Sequence, residues 1–544
     1  MEKDTTAPTK LKSYLTGIAM VLLTLGLAFI LAYIFNSSGV PSDSANLVTI
    51  HGEDRNYNID GRRLLLSEGN YFTGIQYAKA PKLQTGKLVS LPHSVKATTW
   101  PNECPSLFYR NKTSADKCLN LNVYQCTSMQ DKYLPVLVYI NEGENNWDSS
   151  ANLDANQVIN NLACKGMIVV SVHYRSSIFG SFSFQEPSPT WVNKNIKHFN
   201  GDSNQITAMG SRKGAQIVSY LSQIPKTRAF FSQMILIGGA VDDPICFQII
   251  GTLHINKFTR WQGVQTAAFE DEDPETMNKV ELEDLIRCMR DSKKQAFFRF
   301  DQKLRLFWDK WPIDTSDLIG RESTKPINAM LGTCRNPPPK SSKPAKLINK
   351  ARLEEFLNKN RDFNRTHNSE AFLKHYLNRY SNSSLTAPKA LQQTKYDFTE
   401  VGPLLLEAHR LSALPNSSVF MFNLETESTR HDYTPEIKRK IHEQITPCLE
   451  HLLFRKVPAN DLDLQKFMAD SIANFVVKGN PNKVNGTDLK WAEFNATTTL
   501  NTYNVLNVNA KGIEVVENWE TNSARFWLCE RDQSKNATTS AYCS

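Results

Sequence analysis

The chain has no cluster of lysine and arginine, no internal repeat, no cysteine or histidine spacing of a zinc site, and beyond Phe35 no apolar run of membrane length. Its formal net charge of +8 is small for 544 residues and reads as solvated surface, which excludes the basic footprint of a nucleic-acid binder. The missing Cys/His pattern excludes structural zinc, and no motif implies a cofactor. Cysteine is also absent from the start of the chain: all ten lie at or after Cys104. An even number, segregated in this way, fits an oxidising compartment.

What is present begins with Tyr14 to Phe35, YLTGIAMVLLTLGLAFILAYIF, which carries no charge. It is long enough to cross a hydrocarbon core of roughly 30 Å as a helix. A cleaved signal peptide would have a shorter apolar region, about 7–15 residues. Lys3, Lys10 and Lys12 precede the run, and residues 36–51 contain no Lys or Arg, so the short N-terminus is expected in the cytoplasm. The chain then divides into a tail (1–13), a signal-anchor span (14–35), a polar linker NSSGVPSDSA (36–45) and one large domain (46–544) facing the lumen or the cell exterior. That is a single-pass type II arrangement, with the plasma membrane favoured over an internal compartment. The sequons agree, since all lie beyond the span: Asn36, which adjoins the membrane, and Asn111, Asn364, Asn382, Asn416, Asn485, Asn495 and Asn536 as expected glycosylation sites.

With 40% hydrophobic and 22% charged residues, the chain can bury an ample core. Alternation over 47–95 suggests an N-terminal antiparallel sheet. The β-branched runs Val136–Ile140 and Met167–Val172 read as buried central strands, Met234–Ile237 and Ser417–Phe422 as further strands, and Leu464–Val477 as an amphipathic helix ended by Gly479-Asn-Pro-Asn482. The middle, 246–395, is charged and helix-rich.

The stretch FNGDSNQITAMGSRKGAQIVSYL, Phe199 to Leu221, organises the rest. A strand pattern meets Gly210 and a helical pattern starts after Gly214. Strand, tight turn and helix around G-x-S-x-G form a nucleophile elbow, which lifts a serine to the top of a sheet. Here the motif reads Gly210-Ser211-Arg212-Lys213-Gly214. A guanidinium is always protonated and has no lone pair with which to attack a carbonyl. Ser211 stands one place too early, where the elbow's geometry does not serve it.

The flanks carry a family resemblance. Trp191-Val-Asn-Lys-Asn-Ile-Lys-His-Phe-Asn-Gly-Asp202, Tyr71-Phe-Thr-Gly-Ile-Gln-Tyr-Ala-Lys-Ala-Pro81, Cys118-Leu-Asn-Leu-Asn-Val-Tyr124, Val169-Val-Ser-Val-His-Tyr-Arg175 and Asn474-Phe-Val-Val-Lys-Gly-Asn-Pro-Asn482 resemble, in order, the cholinesterase/carboxylesterase family. The resemblance covers about 46–530 and implies an α/β-hydrolase fold: a large mixed central sheet flanked by helices, here preceded by one transmembrane helix. It also says where the family's chemistry should sit. The oxyanion loop would be Asn141-Glu142-Gly143-Glu144, whose two carboxylates oppose a developing negative charge. Pro337 would occupy the acid's place and Thr446 the histidine's, with His442 and His451 nearby. Nucleophile, acid, base and oxyanion loop all depart from what ester hydrolysis needs. The domain is therefore expected not to be an enzyme, with Arg212 paired to Glu142 or Glu144 across the former site.

The resemblance further implies Cys104–Cys118, and suggests Cys246–Cys288 with a substituted first partner. Placement suggests Cys126–Cys164, Cys334–Cys448 and Cys529–Cys543. In its anchor and its lost chemistry the chain resembles the family's inactive adhesion branch, which includes neurotactin, neuroligins, gliotactin and glutactin, and its anchor orientation is most like neurotactin's. The expected function is cell adhesion or surface recognition of a protein partner, a second copy of the chain among the options. The alternatives are a luminal pseudoenzyme that binds a small molecule or a secretory protein, and, ranked last, an esterase using displaced residues.

Overall fold

The computed structural model describes residues 47–52, 56–64, 68–79, 87–101, 104, 118–129, 133–141, 153–174, 187–223, 225–240, 325–335, 350–351, 353–354, 369–381, 387–425, 449–482, 490–494, 504–509, 512–517, 519 and 526–529. The chain divides into Met1–Val48 and Thr49–Ser544, and of the first unit only Leu47 and Val48 are described. No helix among the described residues is long and apolar enough to cross a membrane; the expected span, 14–35, lies outside them.

The strands are β1 (Leu47–His51), β2 (Asn58–Arg63), β3 (Gly69–Gln76), β4 (Ala78–Lys79), β5 (Lys87–Leu88), β6 (Ser94–Lys96), β7 (Asn120–Cys126), β8 (Leu134–Ile140), β9 (Ile168–Val172), β10 (Gly201–Ser211), β11 (Gln233–Ile237), β12 (Asn328–Arg335), β13 (Val419–Glu425), β14 (Val505–Asn509) and β15 (Gly512–Val516). All but β4 and β5 join one 13-stranded sheet in the order β1-β2-β3-β7-β9-β8-β10-β11-β12-β13-β14-β15, with β6 on β2. From β9 through β14 every pairing is parallel, while β3, β7 and β15 pair antiparallel. A large mixed sheet with helices on both faces fits an α/β-hydrolase fold.

Parallel strands covered on both faces must be apolar throughout, which is why Ile168–Val172 is buried at every position. Alternation sorts their side chains. Val136, Val138 and Ile140 of β8 and Met234 and Leu236 of β11 point to one core; Leu137, Tyr139, Ile235 and Ile237 point to the other.

Helix α1 (Ala155–Asn161) covers the second core, and α2 (Pro187–Asn195) and α3 (Lys213–Gln223) cover the first. Next come α4 (Ser369–Ser381), α5 (Ala387–Tyr396), a π-helical turn (Asp397–Val401) and α6 (Gly402–Ser412). Pro403 lacks the N–H that an α-helix would aim at residue 399, a local cause for the widened turn ahead of it. Helices α7 (Leu449–Phe454) and α8 (Leu462–Lys478) complete the second face, and α8 ends at Gly479 in a left-handed conformation, φ 74°.

Three expectations need correction. The N-terminal strands are not a purely antiparallel sheet: β2 pairs antiparallel with β3 but parallel with β6, and both belong to the main sheet. The helix-rich middle contains β12, whose side chains supply both cores between β11 and β13. Cys334, expected on the loop that would have carried the family's acid, lies buried on this strand instead.

Two expected disulfides are present, Cys104–Cys118 with Cα atoms 4.8 Å apart and Cys126–Cys164 at 4.9 Å. Cys334 and Cys529 are also disulfide-bonded. Their expected partners Cys448 and Cys543, and the pair Cys246 and Cys288, lie outside the described residues.

Candidate functional site

In open α/β sheets, ligand sites form at the carboxyl ends of the parallel strands. The end of β10, flanked by β8 and β11, is the elbow. Its glycines are required by backbone contact. A Cβ on Gly210 would stand 2.2 Å from the Gly214 carbonyl oxygen, and one on Gly214 would stand 2.1 Å from that of Ile140. The turn can close this tightly only with hydrogen at both places.

Arg212 occupies the apex with φ +48°, a conformation that costs a residue with a Cβ about 1–2 kcal/mol. Two bonds over-determine it. Its N–H donates to the Ile237 carbonyl at 2.6 Å, and its guanidinium Nη1 donates to Glu400 Oε1 at 3.0 Å. The pair is largely withdrawn from water, with side-chain exposures of 20% and 7%. Glu400 sits on the π-helical turn, where the neighbouring Asp397 is held by Arg379 at 3.1 Å and by Gln393 at 2.7 Å.

The same contact continues along the helices. Ser219 Oγ donates to Glu407 Oε1 at 3.0 Å, and Arg410 Nη2 donates to Ser222 Oγ at 3.3 Å. All three pairs, 212 with 400, 219 with 407 and 222 with 410, are separated by 188 residues. A constant offset requires the two segments to run parallel in one register. Glu407 is fully buried and takes a bidentate grip from Arg410, both bonds 2.7 Å. Burial, then the charge of Arg410, holds Arg228 below the usual guanidinium range, and Arg228 donates to the carbonyls of Phe231 and Pro326. The elbow is thus the head of a polar seam between α3 and α6.

Ser211 faces the other way. Strand alternation places it with Met209 and beside Ile237, on the second core. It is fully buried, and its hydroxyl donates to Glu450 Oε1 of α7 at 2.9 Å. A serine without solvent access, hydrogen-bonded to a carboxylate, is not presented to a substrate from solution. His451, raised above as a displaced base, is likewise buried on α7.

Of the other expected positions, Asn141 is buried just after β8 and its carbonyl accepts from the Tyr174 hydroxyl at 2.8 Å. Glu142, Gly143, Glu144, Pro337, His442 and Thr446 lie outside the described residues. Among the described residues the carboxylate on Arg212 is Glu400, where Glu142 or Glu144 is expected, and no motif in the sequence marks it. Glu407 and Glu450 were also missed. Glu407 had left a trace: it interrupts the apolar face formed by Leu404, Leu405, Ala408 and Leu411. Among the described residues no group of His, Cys, Asp and Glu could hold a metal ion.

Comparison with known proteins places this geometry among relatives. A profile of the carboxylesterase family matches residues 49–527. Human Carboxylesterase 5A is 26% identical over 301 residues, 48% of this chain and 50% of that protein. Mouse Carboxylesterase 1F is 27% identical over 308 residues, 49% and 51% of the two chains. Acetylcholinesterase 1 of Caenorhabditis elegans is 29% identical over 177 residues, 28% of each. The chain thus spans about half the length, or less, of these relatives.

Proposed function

This chain belongs to the carboxylesterase family, and we propose that it is a non-catalytic member, a single-pass type II membrane glycoprotein whose domain serves adhesion or cell-surface recognition. One observation carries the loss of catalysis: the elbow's apex is a cation locked to Glu400, while the adjacent serine is buried on the opposite side of the sheet. Acyl transfer needs an exposed nucleophile hydrogen-bonded to a base. Arg212 offers no lone pair, and Ser211 is occupied by a carboxylate that packing keeps from water.

The recognition role draws on the charge-free run Tyr14–Phe35, the sequons that all follow it, and the resemblance to the N-terminally anchored adhesion branch. A domain that keeps its core and turn glycines while its apex is tied into a helix contact retains a rigid surface without a reactive group. The partner is a protein outside the cytoplasm.

Two experiments test the reading. Treatment of the purified full chain with a covalent serine-hydrolase probe is expected to leave it unlabelled, and labelling at Ser211 would overturn the non-catalytic assignment. Surface biotinylation followed by a cell-aggregation assay is expected to find the chain at the surface of clustering cells. Clusters of expressing cells alone indicate a second copy as partner, mixed clusters indicate another protein, and absence from the surface removes the adhesion role.

A further inference from the structure

Between α6 and β13 the chain turns through Leu414-Pro415-Asn416-Ser417-Ser418, which contains an N-x-S sequon. Sequons arise by chance, so the motif alone assigns nothing. The structure adds three observations. Asn416 is exposed at the turn, with φ +58°, in the left-handed region that asparagine tolerates better than most residues. Its side-chain amide makes no hydrogen bond among the described residues, whereas both serines after it are engaged: Ser417 Oγ accepts from the Ile327 N–H at 2.9 Å, and Ser418 donates to Glu493 Oε1 at 3.2 Å. Finally, the Ser418 N–H donates to Asn328 Oδ1 at 3.0 Å, so the turn is tied down on the serine side while the asparagine is left pointing to solvent.

The order of synthesis gives the sequon its opportunity. The Ser418 hydroxyl, the group that completes the acceptor motif, is bound in the finished fold by a residue 75 positions later. While Asn416 enters the lumen, Glu493 has not yet been made, and that hydroxyl is available. Once the domain closes, the bond to Glu493 fixes the turn, and a bulky group on Asn416 projects outward without displacing any described contact.

We infer that Asn416 carries an N-linked oligosaccharide. The amide Nδ2 forms a bond to the anomeric carbon of the first sugar. The bond from that carbon to the diphosphate oxygen of a lipid-linked oligosaccharide donor breaks, the lipid diphosphate leaves, and the amide nitrogen gives up one proton. The inference rests on the luminal orientation proposed above, because only there does the chain meet such a donor.

The test uses the full chain expressed in a eukaryotic secretory host. Enzymatic release of N-glycans in heavy-oxygen water converts each occupied asparagine to a mass-tagged aspartate, read by peptide mass spectrometry. The expected result is a tagged peptide spanning Asn416. Removal of one glycan increment by Asn416→Gln and by Ser418→Ala, but not by Ser417→Ala or Ser418→Thr, supports the same assignment. An untagged Asn416 peptide in a sample whose Asn111, Asn364 or Asn485 peptides are tagged overturns the inference and leaves the orientation standing. No tagged peptide at any sequon overturns both.

Discussion

The two faces of the sheet are held by different physics. On the first, α2, α3 and α6 pack apolar residues such as Trp191, Ile217 and Leu405 against the strands, but α3 and α6 meet each other through ions and hydroxyls: Arg212 with Glu400, Ser219 with Glu407, Arg410 with Glu407 and Ser222. On the second, α1, α7 and α8 meet through Val158, Leu453, Phe454, Ile472 and Phe475; one ion pair, Lys165 just after α1 with Asp470 of α8, lies at its partly exposed edge, and the contacts that close α7 come from neutral amides. Asn161 donates to the Leu453 carbonyl at 2.9 Å and Gln465 to the Leu452 carbonyl at 2.7 Å, satisfying the open end of a helix only six residues long. Hydrocarbon contact tolerates changes of shape as long as volume is kept, whereas a buried ion pair tolerates change only at both partners together. The elbow apex belongs to the ionic face. Its arginine is the last link of a helix seam, so the apex residue has a structural role.

The largest effect expected is at the centre of the ionic face. Glu407→Ala leaves Arg410 without its carboxylate beside Arg228 and should cost about 3–5 kcal/mol in denaturant unfolding of the full chain in detergent. Pairing Glu407→Met with Arg410→Leu should recover most of that loss; if the single and double variants are equally unstable, the ionic account of this face is wrong. On the apolar face, Ile472→Ala should cost about 3 kcal/mol through the cavity it leaves, and a second truncation nearby should add to the loss instead of rescuing it.

Alkaline pH should act through the second face. Burial raises the Tyr124 phenol above its ordinary value, and burial likewise raises Tyr71. A group whose folded value is raised gives its full stability below the unfolded value, about pH 10, and loses it as pH rises beyond. Unfolding free energy should therefore fall by up to about 1.4 kcal/mol per pH unit per tyrosine above that point, and Tyr124→Phe should flatten the decline. The smallest effect is where the faces meet. Ser211→Ala removes one donor from Glu450 and should cost about 1 kcal/mol, without altering the expected absence of ester turnover, measured on an activated ester.

The apolar face was legible from the chain alone, because periodicity reports which residues seek an interior. Helix α3 follows the elbow as expected, α8 ends at Gly479, and the strands expected at 136–140 and 167–172 lie within two residues of those ends. Strand β12 was missed: it lies in a stretch of sequence rich in charge, where its short apolar run gives no alternation to mark it. The elbow's glycines and its arginine were visible as a spacing. The partner of that arginine was not, since Glu400 lies 188 residues away in a turn that no periodic pattern marks.

Residue order by itself determined that a strand, a tight turn and a helix follow one another around Gly210 and Gly214 and that the apex is a permanent cation, because these depend on side-chain chemistry and short spacing. Only the tertiary structure decided that Arg212 turns to one face and Ser211 to the other, and which carboxylate answers each. Those choices follow from the parity of a strand and the register of two parallel helices, which exist only after distant segments have packed.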